Sequence, residues 1–209
     1  MAIGLKLIDP FSVIDSRINA AISEEVNKRL IRNKGFIETQ MSRMIQMWVR
    51  AQPEMLEIGL EKRLAGMLGI RKGLGPTAVD SIVMAVVAAS SFRFARFNKK
   101  MSGVAELNFQ PATFLNLLGL GTGHTKTKNG ADLHWLDWLL MQGNKMIVVG
   151  YHYEPEAGRG RSGLGAMDQG GAFRIPPEMA GVSTDNFITR AFSGKEKDIM
   201  NLFQRALAR

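Results

Sequence analysis

The spacing of hydrophobic residues changes near residue 90, and this change constrains the fold more than any other feature of the chain. Before that point, apolar side chains recur every three or four positions, as they do on one face of an amphipathic helix. The first pattern runs from Ile14 to Trp48 and predicts one long helix or two helices broken near residues 33–35. Later patterns predict a helix over Leu56–Leu68 and another that begins at Pro76.

After residue 90 the pattern becomes that of strands. The stretches SSFRFARFN and GVAELNFQ alternate apolar and polar side chains, and the intervening NKKMSG supplies turn residues, so together they predict a β-hairpin. KMIVVGYHY predicts a further strand, and AFRIP predicts a short extended segment that ends at Pro176-Pro177. Short helices are predicted in LHWLDWLLMQGNK, up to Gly143, and from Lys195 onward.

Helices that cluster early and strands that cluster late indicate an α+β protein rather than alternating βαβ units. We expect long N-terminal helices packed with a C-terminal mixed or antiparallel β-sheet subdomain and a C-terminal helix. Residues 1–90 form the mainly helical region, and residues 91–209 form the α+β region with a glycine-rich segment at 156–181. The 209 residues, 45% of them hydrophobic, suffice for one core, so we expect one compact domain.

The chain is strongly basic, with 27 Lys and Arg against 19 Asp and Glu and a formal charge of +8. This balance favours an anionic neighbour, either nucleic acid or an acidic protein surface, although a basic protein without such a partner has the same composition. The absence of cysteine excludes disulfides and thiolate metal sites. No apolar run is long enough for a bilayer span and the start lacks a signal-peptide core, so no membrane partner is expected.

The glycine-rich segment EAGRGRSGLGAMDQGGAFRIPPEMAG contains a literal G-x-G-x-x-G at Gly158–Gly163. A dinucleotide fingerprint needs a strand directly before it and a helix directly after it, because the pyrophosphate sits on the helix N-terminus. Here the predicted strand ends near Tyr153, Glu-Pro-Glu intervenes, and the residues after the motif are poor helix formers. A nucleotide-using enzyme built on this segment is therefore the least favoured prediction of function for this chain.

A second basic stretch, GLGTGHTKTKNG, resembles a phosphate-binding loop but has Thr125 where that motif needs glycine. We interpret it as a flexible surface loop whose Lys126 and Lys128 can touch a DNA backbone without sequence specificity. The three histidines fall in separate elements, and a zinc site would need all of them and a carboxylate to converge. No catalytic residue, cofactor or metal is therefore predicted.

Three arginines of the glycine-rich segment, Arg159, Arg161 and Arg174, leave two interpretations open. They are either solvated surface charges, or partners in ion pairs across a subunit contact or in contacts with DNA. The segment lacks the interleaved aromatic side chains that are expected of a protein that binds single strands. The residue types alone do not decide between these interpretations.

Three blocks in the second half of the chain resemble structural proteins of tailed bacteriophages, namely neck and tail-completion proteins. The blocks are LHWLDWLLMQGNKMIVVGYHY, GRSGLGAMDQGGAFRIPPEMAG and DNFITRAF, in this order. The resemblance covers residues 50–192, is clearest over Leu133–Phe192, and extends to the first helix only in general character. His134 and Asp137 depart from it, because the family pattern has Pro and Glu there, as in LPWLEWLL.

The resemblance implies an α+β subunit that assembles into a six-fold ring without a cofactor or catalysis. It implies assembly in the host cytoplasm, a place in the neck or tail of the virion, and other phage neck and tail proteins as partners. The glycine-rich segment would be a loop that becomes ordered on assembly. The residues that would shape or anchor it are Arg161, Ser162, Gly163, Gly170, Gly171, Pro176, Pro177, Gly181, Asn186, Phe187 and Arg190.

A basic ring subunit also suits a channel that passes DNA, where contacts are non-specific and weaken with salt. With Arg159 and Arg174 added and Gly181 left out, these residues form the predicted subunit interface. The alternative to a virion protein is a basic nucleic-acid-binding accessory protein that uses Lys126, Lys128, Arg159 and Arg161.

Overall fold

The computed structural model describes residues 9–111, 113–126, 130–155, 157 and 160–209. The helices of this part are α1 (Phe11–Arg32), α2 (Lys34–Arg50), α3 (Pro53–Gly59), α4 (Arg63–Met67), α5 (Gly75–Ala89), α6 (Leu115–Leu118), α7 (Trp135–Leu140), α8 (Phe187–Phe192) and α9 (Glu196–Ala208). The strands are β1 (Ser91–Ala95), β2 (Val104–Asn108), β3 (His124–Lys126), β4 (Asp132–His134), β5 (Val148–Glu154) and β6 (Ala166–Phe173).

The α+β class is confirmed, and the strands form three separate two-stranded antiparallel ribbons: β1 with β2, β3 with β4, and β5 with β6. The chain divides into two compact units, neither of which is continuous in sequence. The first unit contains the described parts of Met1–Met41, Ser91–Asn108 and Glu196–Arg209, and the second contains those of Ser42–Ser90 and Phe109–Lys195. None of the helices in the described part combines the length and apolarity that a bilayer crossing needs.

Of the two predicted alternatives, one long helix or two helices broken near residues 33–35, the second is confirmed, because Asn33 separates α1 from α2. The Asn33 side chain is buried, and its Nδ2 donates to the carbonyl oxygen of Ala206 in α9 at 2.8 Å. Arg29 Nη1 donates to the carbonyl oxygen of Leu207 at 2.6 Å. Because the last carbonyls of a helix have no partner within that helix, α1 supplies donors to the C-terminal end of α9.

The predicted hairpin is also confirmed, because β1 pairs with β2 over the full length of both strands. Its turn is held by α1: Asn27 Nδ2 donates to the carbonyl oxygen of Phe97 at 3.0 Å, and Phe97 N donates to Asn27 Oδ1 at 2.9 Å. On β1, the ring of Phe92 packs against Phe203 of α9 with a centroid distance of 5.3 Å. The first unit is thus tied together by side chains far apart in sequence.

The core of the second unit comes from the apolar faces of α5, α7 and α8. Its fully buried members include Ile82, Val83, Val86, Trp135, Leu136, Leu139, Leu140 and Phe187. Helix α7 is shorter than the sequence predicts, because Leu133 and His134 belong to β4. The predicted extent of that helix is therefore wrong at its start.

The prediction of one helix over Leu56–Leu68 is wrong, since α3 ends at Gly59 and α4 begins at Arg63. Between them Glu61 adopts a left-handed backbone conformation with φ of 53°. Its carboxylate accepts hydrogen bonds from Gly73 N and Gly75 N at the start of α5. The backbone is therefore not helical at Glu61, and the Glu61 side chain accepts from N–H groups that have no partner at the beginning of α5. The spacing of apolar residues did not indicate this interruption.

Outside the extended AFRIP stretch, the prediction that residues 156–181 are a loop is wrong for residues 166–171, which belong to β6 and pair with β5. The extended AFRIP segment is correct in type, and its first two residues are the end of this strand. The strand passes through Gly170 and Gly171, two residues that usually weaken a strand.

Candidate functional site

The second half of the G-x-G-x-x-G forms a β-turn rather than the start of a helix. Gly163 N donates to the carbonyl oxygen of Gly160 at 3.0 Å, which leaves Arg161 and Ser162 at the centre of the turn. Lys72 N donates to the carbonyl oxygen of Ser162 at 2.8 Å, so the turn is fastened to the connection between α4 and α5. The helix that a dinucleotide fingerprint needs is absent from the described residues after Gly163, where β6 follows instead.

Tyr153 explains why several glycines surround this turn. Its hydroxyl donates to the carbonyl oxygen of Leu164 at 2.6 Å, and burial raises the pKa of the phenol, which keeps it a donor. A Cβ on Gly66 or Gly165 would overlap the Tyr153 hydroxyl, and a Cβ on Gly160 would overlap the carbonyl oxygen of Gly165. Close approach of backbone to one aromatic ring thus requires glycine here.

Gly170 and Gly171 form a β-bulge in β6. Two residues of β6 lie opposite the single Gly150 of β5, because the register shifts between Val149 and Tyr151. The φ angles of Gly170 and Gly171 are +104° and +73°, values that side chains other than glycine rarely adopt. The β-bulge therefore explains, within the subunit itself, why both positions are glycine. A role of the two glycines in assembly stays a prediction.

Asn186 and Phe187 act inside the second unit. Asn186 Oδ1 accepts from the backbone N of Ile188 and Thr189 at 3.0 and 3.1 Å, and Asn186 N donates to Thr189 Oγ1, which forms a capping box at α8. Asn186 and Phe187 are both fully buried. Their side chains anchor the DNFITRAF block in the core, and a direct subunit contact by either stays a prediction.

Arg190 also has partners within the chain. It forms an ion pair with Glu54, which is 1% exposed, and a second with Asp185 at 2.8 Å. Burial raises the pKa of the Glu54 carboxyl, and the Arg190 guanidinium opposes that rise. Sequence reasoning missed Glu54, because its burial beside Met55 and Ile58 is apparent only in the folded structure.

Of the other predicted interface residues, Arg174, Pro176 and Pro177 lie on or near the surface. The carbonyl oxygen of Pro176 accepts from Met179 N and Ala180 N, both at 2.9 Å, so the proline pair opens a turn. Pro177 and Arg174 are exposed. Arg159 and Lys128 lie outside the described residues.

Two predicted site residues, Lys126 and Arg161, converge on one cleft of about 420 Å³ in the second unit. The sequence predicts a DNA-backbone contact for Lys126 and a place in the subunit interface for Arg161, and the structure brings the two residues together. No carboxylate is among the described residues that line the cleft. The lining residues are Gly69, Ile70, Arg71, Leu74, Thr77, Ala78, Gly121, Thr122, His124, Thr125, Lys126 and Arg161. Sequence reasoning missed Arg71 and Thr77, which come from the connection before α5 and from its first turn.

No family model, curated protein or solved structure matches this chain. The function is therefore inferred from the geometry of the subunit and from the resemblance of its sequence blocks.

A histidine pair stands beside the cleft on the β3–β4 ribbon. The rings of His124 and His134 stack with a centroid distance of 4.1 Å, and His124 Nδ1 lies 2.9 Å from Asp132 Oδ2. Burial lowers the pKa of His134 and the neighbouring His124 lowers it further, whereas Asp137 and Asp132 oppose the shift. Within the described residues, no group of three or more His, Asp or Glu side chains is placed to hold a metal ion.

This pair predicts a loss of stability in mild acid. The folded-state pKa of His134 lies below its ordinary value of 6.5. The contribution of neutral His134 to the stability of the fold is therefore fully present above pH 6.5 and is lost as the pH falls through the folded-state pKa. We expect His134→Phe to reduce this loss, measured by urea denaturation at pH 7.5 and pH 5.5. His152→Phe, at an exposed histidine of β5, is the control and should keep the wild-type dependence. Equal pH dependence of all three proteins would contradict this assignment.

Proposed function

We propose that this chain is a non-enzymatic structural protein of a tailed-bacteriophage virion. It acts in the head–tail neck or in tail completion, as a subunit of a six-fold ring that joins the head connector to the tail. Its partners are copies of itself and other neck and tail proteins, and it assembles in the host cytoplasm. The observation that carries this proposal is the ordered set of three sequence blocks that resemble that family.

The ribbon of β5 and β6, which the first two blocks encode, supports assembly. Its central residues are exposed, and they include apolar side chains: Val149 is 75% exposed, and Tyr151 and Met167 are more than 40% exposed. Within the described residues neither strand pairs with a third strand, so both present unpaired backbone groups at an edge. A two-stranded ribbon is marginal in water, and contact with another subunit would bury this surface.

Light scattering tests the ring. The wild-type protein alone is expected to show a mass of six times the 23.1 kDa subunit, or, where the other neck components of the virion are needed, a complex that contains six copies of it. Val149→Glu should abolish the ring, because it places a charge on the proposed contact. Val104→Glu is the matched control, since Val104 is an exposed valine on a strand of a different ribbon, 64% exposed, and should leave the ring intact.

A wild-type protein that stays monomeric under both conditions would overturn the ring. A ring that survives Val149→Glu and Val104→Glu equally would overturn the assignment of the contact to the β5–β6 ribbon and remove that support for assembly.

The second candidate is a basic nucleic-acid-binding accessory protein, which the convergence of Lys126 and Arg161 favours. Tight binding of free DNA by a monomer at physiological salt, without any ring, would support it over the virion role.

A further inference from the structure

We propose that the cleft lined by Arg71, Lys126 and Arg161 is a phosphate-binding site that takes the backbone phosphates of a nucleic acid. The cleft has a volume of about 420 Å³, and two arginines and one lysine line it. Three threonines, Thr77, Thr122 and Thr125, line it as well. That volume lies in the range of ligand sites, about 300–1,000 Å³. Phosphate oxygens accept charge-assisted hydrogen bonds from such a set of donors.

The three cations are available for a ligand. None of them forms an ion pair with another described residue, and the nearby carboxylates have other partners. Glu61 accepts from the backbone at the start of α5, and Asp132 pairs with His124. An anion in the cleft would therefore meet uncompensated positive charge.

The cleft holds its donors in a fixed arrangement. Arg161 lies in the turn whose Ser162 carbonyl oxygen accepts a hydrogen bond from Lys72 N, and Lys72 directly follows Arg71 in the chain. Lys126 ends β3, which pairs antiparallel with β4. Cations on fastened backbone lose less conformational freedom when they bind than cations on a free tail would lose.

Hydroxyl groups accompany the cations in the cleft, since Thr77, Thr122 and Thr125 are among its lining residues. Hydroxyl groups donate hydrogen bonds to phosphate oxygens and add to the charge-assisted bonds from arginine and lysine. Two of the three cations are arginines, whose planar N–H donors match the oxygens of a phosphate as well as those of a carboxylate, and competition by a polyglutamate peptide distinguishes the two ligands.

Fluorescence polarisation with a labelled DNA duplex of about 20 base pairs, between about 50 and 200 mM salt, tests the site. Arg71→Gln and Arg161→Gln are each expected to raise Kd about tenfold and to reduce the slope of log Kd against log salt by about 0.9. Arg43→Gln is the matched control, because Arg43 is an exposed arginine of the second unit outside the cleft. It should change Kd less than about twofold.

Thr77→Val, at an exposed threonine of the lining, separates the cleft from general attraction to a basic protein. It keeps the charge and the shape of the side chain, so we expect Kd to rise about threefold with the salt slope unchanged. Equal losses for Arg43→Gln and Arg161→Gln, or no loss for any cleft variant, would overturn the proposal, because binding would then follow the net charge alone.

Competition identifies the source of the phosphate. If ATP displaces the duplex at a similar phosphate concentration and binds more weakly to Arg161→Gln than to the wild-type protein, the cleft is a site for free nucleotides. Recognition of phosphate by the cleft would then still hold. A polyglutamate peptide that competes as well as DNA would overturn phosphate recognition. The proposal does not depend on ring formation, so Val149→Glu should keep its DNA affinity even where it abolishes the ring.

Discussion

Replacing Arg190 by methionine is expected to lower the free energy of unfolding of the second unit by about 3 kcal/mol at pH 7. The substitution leaves the Glu54 carboxylate buried without its cation, and Glu54 Oε2 already lacks a partner among the described residues. We place the loss at the low end of the range for broken buried pairs because the Arg190 side chain is 34% exposed. Urea denaturation followed by tryptophan fluorescence measures it, since Trp48, Trp135 and Trp138 all lie in the second unit.

The pH dependence identifies the cause of that loss. Since the folded-state pKa of Glu54 is raised above 4.5, its contribution to stability is full below pH 4.5 and is lost as the pH rises through the folded value. Without Arg190 the pKa rises further, so the deficit of Arg190→Met should be largest at neutral pH and shrink in acid. Glu54→Gln combined with Arg190→Met should recover part of the loss, and a deficit that is independent of pH would contradict the buried-charge explanation.

Gly181→Ala is expected to cost about 3 kcal/mol in the same assay. A Cβ at this position would overlap the carbonyl oxygen of Leu139 in α7 and lie 2.6 Å from Asn186 Cβ. The carbonyl oxygen of Gly181 also accepts from Gly143 N at 2.8 Å, so the backbone here has little room to withdraw. Backbone atoms of a buried helix move less easily than the end of a flexible side chain, which is why the effect is large.

The control for this substitution is Gly121→Ala in the same unit. A Cβ on Gly121 meets nothing within 4 Å, so the free energy of unfolding should change by less than about 0.5 kcal/mol. If both substitutions cost the same, loss of glycine flexibility would explain the result, and the proposed overlap with Leu139 would be wrong.

Elements with a regular apolar pattern could be predicted from the sequence. Alternation and the turn residues between the two strands identified the β1–β2 hairpin, and the polar residues near Asn33 indicated where the long helix could break, although one unbroken helix fitted the pattern as well. The pattern failed where one side chain or one bulge overrides local preference. Glu61 ends α3 early by bonding to distant backbone donors, and Gly170-Gly171 interrupt the alternation of β6 although the strand continues through them.

The candidate site was predictable only in pieces. Lys126 and Arg161 are visible as basic residues in glycine-rich stretches, but Arg71 and Thr77 carry no local signal. The hydrogen bond between the backbones of Lys72 and Ser162, about ninety residues apart, joins the segments that carry Arg71 and Arg161, and such a contact follows from tertiary packing rather than from sequence spacing.

The discontinuous first unit has a consequence for the chain during its synthesis on the ribosome. The hydrogen bond from Asn33 to Ala206 spans 173 residues, and all of the second unit is translated between them. Helix α1 therefore emerges long before α9, its partner, exists, and it carries exposed apolar side chains such as Ile18 and Ile22. The second unit can fold as soon as Lys195 has emerged, whereas the first must wait, so α1 is translated before the second unit but reaches its final structure after it.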